Sequence, residues 1–163
     1  MSIQLVPACD RPEEIRGLFE AYTAMLVEKE PAFQHYLSLQ HYEEELHHLE
    51  SKYGAPAGRL YMACCDGEPA GCVGLRQIDH RYCEMKRLYV SPAFRGHGIG
   101  RMLVERIIAD AREIGYAYMR LDTLPSLHSA VHMYQAYGFY EIEKYNDNPL
   151  DSFVYMELDL RSL

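Results

Sequence analysis

The chain reads as an α/β protein built on a mixed sheet, with elements in the order β-α-α-β-β-β-α-β-α-β-β. Three observations predict this. Segments in which apolar residues alternate are followed by segments in which they recur at helical spacing, and the two periods trade places along the chain. Turn signals such as Asp66-Gly67-Glu68 and Asp79-His80-Arg81 stand between them. A glycine-rich turn, RGHGIG at 95–100, connects a strand to an amphipathic helix. At 163 residues there is enough chain for one domain with a sizeable core, expected to span 1–163, and no linker or repeat divides it.

Residues 3–7 alternate and predict a short first strand. Asp10 precedes Arg11-Pro12-Glu13-Glu14, which puts proline and acidic residues where a helix N-terminus favours them. Ile15, Leu18, Phe19, Tyr22 and Leu26 then share a helical face, and Pro31 interrupts it. A second helix is expected over 35–54. It carries His35, His41, His47 and His48 among glutamates, but not in His-Glu-x-x-His order, and Glu43, Glu44 and Glu45 point different ways around the helix. A solvated polar face explains this better than a metal site, and no metal is expected.

GRLYMACC and PAGCVGLRQI, joined by the Asp-Gly turn, predict an antiparallel hairpin, and a third strand follows over 82–90. The helix after the glycine turn places Leu103, Val104, Ile107, Ile108, Ala111 and Ile114 on one face, and Gly115 ends it. YMRLDT is a compact strand and LHSAVHMYQAY a short helix closed by Gly138. FYEIEKY and SFVYMELDL are the last two strands.

A net charge of −8 argues against a nucleic-acid partner, because phosphate neutralisation needs a basic face. No apolar run approaches the ~18 residues of a membrane span, and the first residues lack the basic start and apolar stretch of a secretory signal. A cytoplasmic protein with no membrane partner is expected. The five cysteines form no Cys-x-x-Cys pair and read as reduced thiols.

Between a strand and a helix, backbone amides project without intrahelical partners and the helix dipole adds positive charge, so anions bind there. Glycine lets a phosphate approach the backbone closely, and Arg95 and Arg101 flank the turn with charge-assisted donors. A Walker loop would need Gly-Lys-Ser/Thr, which is absent. A dinucleotide fingerprint would need its third glycine at Arg101, and antiparallel hairpins would not precede it.

Arg95-x-x-Gly98-x-Gly100 resembles the Q/R-x-x-G-x-G/A acyl-CoA signature of the GNAT superfamily of N-acetyltransferases. The likeness runs through MKRLYVSPAFRGHGIGRMLVERI and RLDT to SAVHMYQAYGF, which is similar to the family's A-x-x-x-Y-x-x-x-G-F helix. It is firm over 83–139 and looser before. Many members have an asparagine where this chain has Leu127, which removes one polar contact.

The resemblance implies a GNAT-like fold, acetyl-CoA as donor, and direct attack by a primary amine of a small molecule or peptide in a ternary complex. A non-catalytic acyl-CoA binding or sensing module on the same fold is the alternative. It places the diphosphate on the amides of Arg95, Gly96, His97, Gly98, Ile99, Gly100 and Arg101, and the pantetheine arm along the main chain of Leu88, Tyr89 and Val90. Tyr134 falls at the family's general-acid position. Glu84 matches the catalytic glutamate of the histone-acetylating branch, as a base for an amine that titrates near ~10.4; the resemblance equally allows deprotonation through a water chain. The acceptor would lie near 22–36 and 145–151, where Glu28, Glu30, Phe33, Tyr145 and Asn148 would form either an acidic, aromatic recess for a cation or simply an exposed surface. A homodimer is a family-level expectation.

Overall fold

The structure is a computed structural model, and it describes residues 2–34 and 42–161. Strand β1 (Ile3–Pro7) leads into helix α1 (Pro12–Lys29), then the short helices α2 (Tyr42–His47) and α3 (Leu49–Tyr53). Strands β2 (Arg59–Cys65), β3 (Glu68–Gln77) and β4 (Tyr82–Val90) follow, then a 3-10 turn at Pro92–Phe94 and helix α4 (Ile99–Ile114). Strand β5 (Tyr118–Thr123), helix α5 (His128–Ala136), β6 (Tyr140–Ile142) and β7 (Val154–Asp159) complete the fold. The strands form one sheet in the order β1-β2-β3-β4-β5-β7-β6. Neighbours are antiparallel except β4 and β5, which run parallel.

The sheet is covered on both faces. The apolar stripe of α4, with Leu103, Val104 and Ile107 fully buried, packs on Val73, Leu75, Met85, Met119 and Leu121. On the other face, Ile15 and Phe19 of α1 join Leu49 and Tyr53 over Leu60, Met62 and Cys72. Each such aliphatic side chain contributes about 1.5–3 kcal/mol on burial. Gly74 permits one close approach: a Cβ there would lie 2.6 Å from the Tyr53 ring, which rests directly on β3.

Two expectations change. The helix expected over 35–54 is two short helices where it is described, because His48 leaves helical geometry at φ −133° and ψ 49°. That break lets Glu45 and Leu46 of α2 and Leu49 and Tyr53 of α3 all bury. Residues 35–41, with His35 and His41, lie outside the described residues. Strand FYEIEKY shortens to β6 because the chain leaves the sheet after Ile142, and the Tyr145 hydroxyl instead donates to Glu84 at 2.5 Å. All five cysteines are free, and burial pushes the Cys72 thiol up to about 12. Among the described residues, no helix is long and apolar enough to cross a membrane.

Candidate active site

Strands β4 and β5 pair only through Tyr82–Tyr118, Cys83–Met119 and Glu84–Arg120. Beyond that point β5 continues beside β7, while β4 continues beside β3. The sheet therefore parts, and a cavity of about 520 Å³ fills the gap. Leu88, Tyr89 and Val90 of β4 line one wall, and Leu121, Asp122 and Thr123 of β5 the other.

The glycine turn closes one end. Gly96 and Gly98 have φ values of 85° and 79°, a left-handed conformation that costs other L-residues about 1–2 kcal/mol. A Cβ at either position would meet no protein atom within 4 Å, so backbone conformation, not packing, demands glycine there. The first helical bond of α4 runs from the Met102 amide to the Gly98 carbonyl at 3.1 Å, which leaves the preceding amides without intrahelical acceptors. Arg95 is steadied by its Nε donating to the Val90 carbonyl at 3.0 Å. Amide donors, a cation and open space above the turn fit a diphosphate. Arg95, Gly96, Gly98, Ile99 and Gly100 line the cavity; the side chains of His97 and Arg101 are exposed and do not. His97 sits between two left-handed glycines that turn it outward, and Arg101 lies on the solvent face of α4.

The wall of β4 carries a bulge. Cys72 faces Tyr89 and Gly74 faces Lys86, so Val73 stands opposite two residues, Arg87 and Leu88. Arg87 takes the extra turn at φ 61°, a left-handed value for a side chain that is 5% exposed. Its guanidinium grips Glu45 of α2 in a fork, Nε to Oε2 at 3.0 Å and Nη2 to Oε1 at 3.1 Å. The Tyr53 hydroxyl donates to the same carboxylate at 3.1 Å, and Lys52 also pairs with it. Burial acts to raise the Glu45 carboxyl, but Arg87 and Lys52 together hold it down at about 2. The Cys72 thiol donates to the Arg87 carbonyl at 3.2 Å. The bulge thus rests on a buried ion pair.

Buried titratable groups stand on β4, β5 and α5. Tyr134 of α5 is buried, lines the cavity and tilts against Phe139 at 5.6 Å. Burial drives its hydroxyl well above the usual tyrosine range, so it stays protonated. Glu84 is buried but does not line the cavity. Its Oε1 accepts from Arg76 Nε at 2.7 Å, Oε2 accepts from Tyr145, and Lys86 lies 4.0 Å away. Burial works to raise its carboxyl, yet Lys86 and Arg76 lower it below the ordinary value. A carboxylate so engaged is a poor proton acceptor, which departs from the base role expected for it.

Asp122 and Lys86 line the cavity where sequence reasoning placed neither as a site residue. Burial raises the Asp122 carboxyl above its ordinary value, against the pull of Lys86, and Asn146 donates to it at 2.9 Å. The signal was alternation: Tyr118, Arg120 and Asp122 share one face of β5, and Glu84 and Lys86 share one face of β4. Of the residues expected around the acceptor, Phe33 lines the cavity; Glu28, Glu30, Tyr145 and Asn148 do not. Lys29, between the two glutamates, does. The recess is therefore not the acidic one expected: at the end of α1 it is the exposed Lys29, and neither Glu28 nor Glu30, that borders the cavity.

Comparisons with known proteins agree with this geometry. The model of the acetyltransferase (GNAT) family matches residues 19–139. The chain is 32% identical to an uncharacterised N-acetyltransferase of Dictyostelium discoideum over 91% of its length and 94% of the relative's. It is 40% identical to another of Schizosaccharomyces pombe, over 76% of this chain and 77% of that one. The crystal structure of the PaiA N-acetyltransferase from Thermoplasma acidophilum, in complex with coenzyme A, superposes with a TM-score of 0.73 at 18% identity, covering 98% of this chain and 99% of that one. A glycine turn at a split in a mixed sheet, with both motifs in their places, makes this chain a member of the GNAT family of acetyltransferases.

Proposed function

We propose that the chain, as a single domain over 1–163, transfers an acetyl group from acetyl-CoA to a primary amine of a small molecule or peptide by direct attack in a ternary complex. The observation that carries this is the parted sheet. One cavity is lined by the glycine turn, by Asp122 of β5 and by the buried Tyr134 of α5, which supports binding and chemistry in one place. Bound acetyl-CoA supplies the acyl group, activated as a thioester.

The chain's own residues do the rest. Amides at the start of α4 and the Arg95 guanidinium hold the diphosphate, and the main chain of Leu88, Tyr89 and Val90 offers a strand edge to the pantetheine amides. An alkylammonium group titrating near ~10.4 must lose a proton before it attacks. Asp122, raised by burial and lining the cavity, takes that proton in place of Glu84, which instead ties β4 to the loop after β6 through Tyr145. Tyr134 donates its hydroxyl proton toward the departing sulfur.

Thiol release from acetyl-CoA, screened over a panel of amines, tests the reading. Acceptor-dependent release is expected; coenzyme A binding with no release over the whole panel would make this a binding module instead. Tyr134→Phe should lower turnover ~10- to 1000-fold with coenzyme A affinity unchanged, and undiminished turnover would remove the tyrosine from the reaction. Asp122 accepts a proton only when ionised, so kcat/KM should rise as pH climbs through its elevated carboxyl titration. In Asp122→Asn that limb should vanish from the pH profile, leaving the titration of the amine itself.

A further inference from the structure

On the reading that this cavity is a transferase site, its charges narrow the acceptor. We propose that the acceptor is an amino acid with an apolar side chain, an amine that carries its own carboxylate. Lys86 projects into the cavity with its side chain 13% exposed, and its nearest carboxylate is Glu84 at 4.0 Å. That carboxylate is already occupied: Arg76 donates to one oxygen at 2.7 Å and Tyr145 to the other at 2.5 Å. The ammonium group therefore keeps donors for a ligand. Asp122 is the one carboxylate among the described residues lining the cavity, and within them it accepts from Asn146.

The described lining carries Lys29, Lys86, Arg87 and Arg95 against the one carboxylate of Asp122, which favours an acceptor that brings its own carboxylate. An amino acid does so, its amine facing Asp122 and its carboxylate facing Lys86. A polyamine would bring several positive charges to a lining that also holds Lys29, which makes no ion pair with any described residue. The net charge of −8 does not extend into this recess. Next to these groups lies an apolar wall of Leu26, Phe33 and Phe153, the two phenyl rings stacked at 5.8 Å. It suits a hydrocarbon or aromatic side chain.

The test compares L-phenylalanine, phenylalanine amide, phenethylamine and spermidine by thiol release. The wild type is expected to prefer phenylalanine by at least ~10-fold in kcat/KM over the three amines without a carboxylate, about one well-placed charge pair. Lys86→Met should raise KM for phenylalanine far more than for its amide, so the ratio falls toward one, and Lys86→Arg should restore part of it. Calorimetry with coenzyme A confirms that each variant still folds and binds. Preference for spermidine or phenethylamine, or a ratio untouched by Lys86→Met, overturns the amino-acid acceptor while leaving the transferase intact. Absence of release with every amine overturns the transferase reading and this one with it.

Discussion

Valine at position 98 should abolish coenzyme A binding, raising Kd more than ~100-fold, in a protein that still folds. Two effects separate cleanly at this position. Gly98 sits at φ 79°, where a β-branched residue is strained by about 1–2 kcal/mol. A typical domain's stability of ~5–15 kcal/mol tolerates that loss. No protein atom lies within 4 Å of the position a Cβ would take, so the new side chain meets no wall of its own fold. It occupies the space above the α4 amides instead, where a diphosphate would lie. Losing two charge-assisted hydrogen bonds, at roughly 1.5–3 kcal/mol each, suffices for the stated drop. Calorimetric titration with coenzyme A reads the binding and a thermal melt reads the fold; undisturbed affinity would move the diphosphate away from this turn.

Glu45→Ala should destabilise the protein by about 3–5 kcal/mol, because it strands the Arg87 guanidinium, buried to 5% exposure, without its partner. Removing both charges, as in Glu45→Met with Arg87→Met, should cost less than the single change, since no buried ion is then left uncompensated. Acid exposes the same pair. The folded Glu45 titrates at about 2, below the ordinary value of 4.5. Its contribution is therefore complete above about pH 4.5 and disappears as pH falls toward 2, amounting to about 3 kcal/mol. Other carboxylates also titrate there, so the measure is the difference in denaturant-unfolding stability between wild type and Glu45→Gln across that range. Parallel curves would show that the pair contributes nothing.

Most of the frame was legible because its signals are local. The Asp66-Gly67 turn, the alternation of β3 and the apolar stripe of α4 each declare themselves within a dozen residues, and the strand expected over 82–90 is β4 to the residue. The glycine turn was legible for the same reason. What sequence reasoning missed depends on contacts between distant segments. Glu45 looks like one of three solvated glutamates, and Arg87, 42 residues away, joins Tyr53 and Lys52 in making it a buried one. The sequence pointed to Glu84 and passed over Asp122; Arg76 and Tyr145 close around the first, while the parting of β4 from β5 opens beside the second. The bulge at Arg87 has no local sequence signature, since no glycine marks its left-handed residue. The register slip appears only once β3 is laid beside β4.

Three rungs join β4 to β5, so the two halves of the sheet behave like plates meeting at a short hinge. Across that hinge the contacts from Arg76 through Glu84 to Tyr145 tie β3 and β4 to the loop after β6, so a change in them would alter the width of the gap. Evolution could thus retune which nucleophile fits by adjusting this brace, without altering a single residue that touches either ligand.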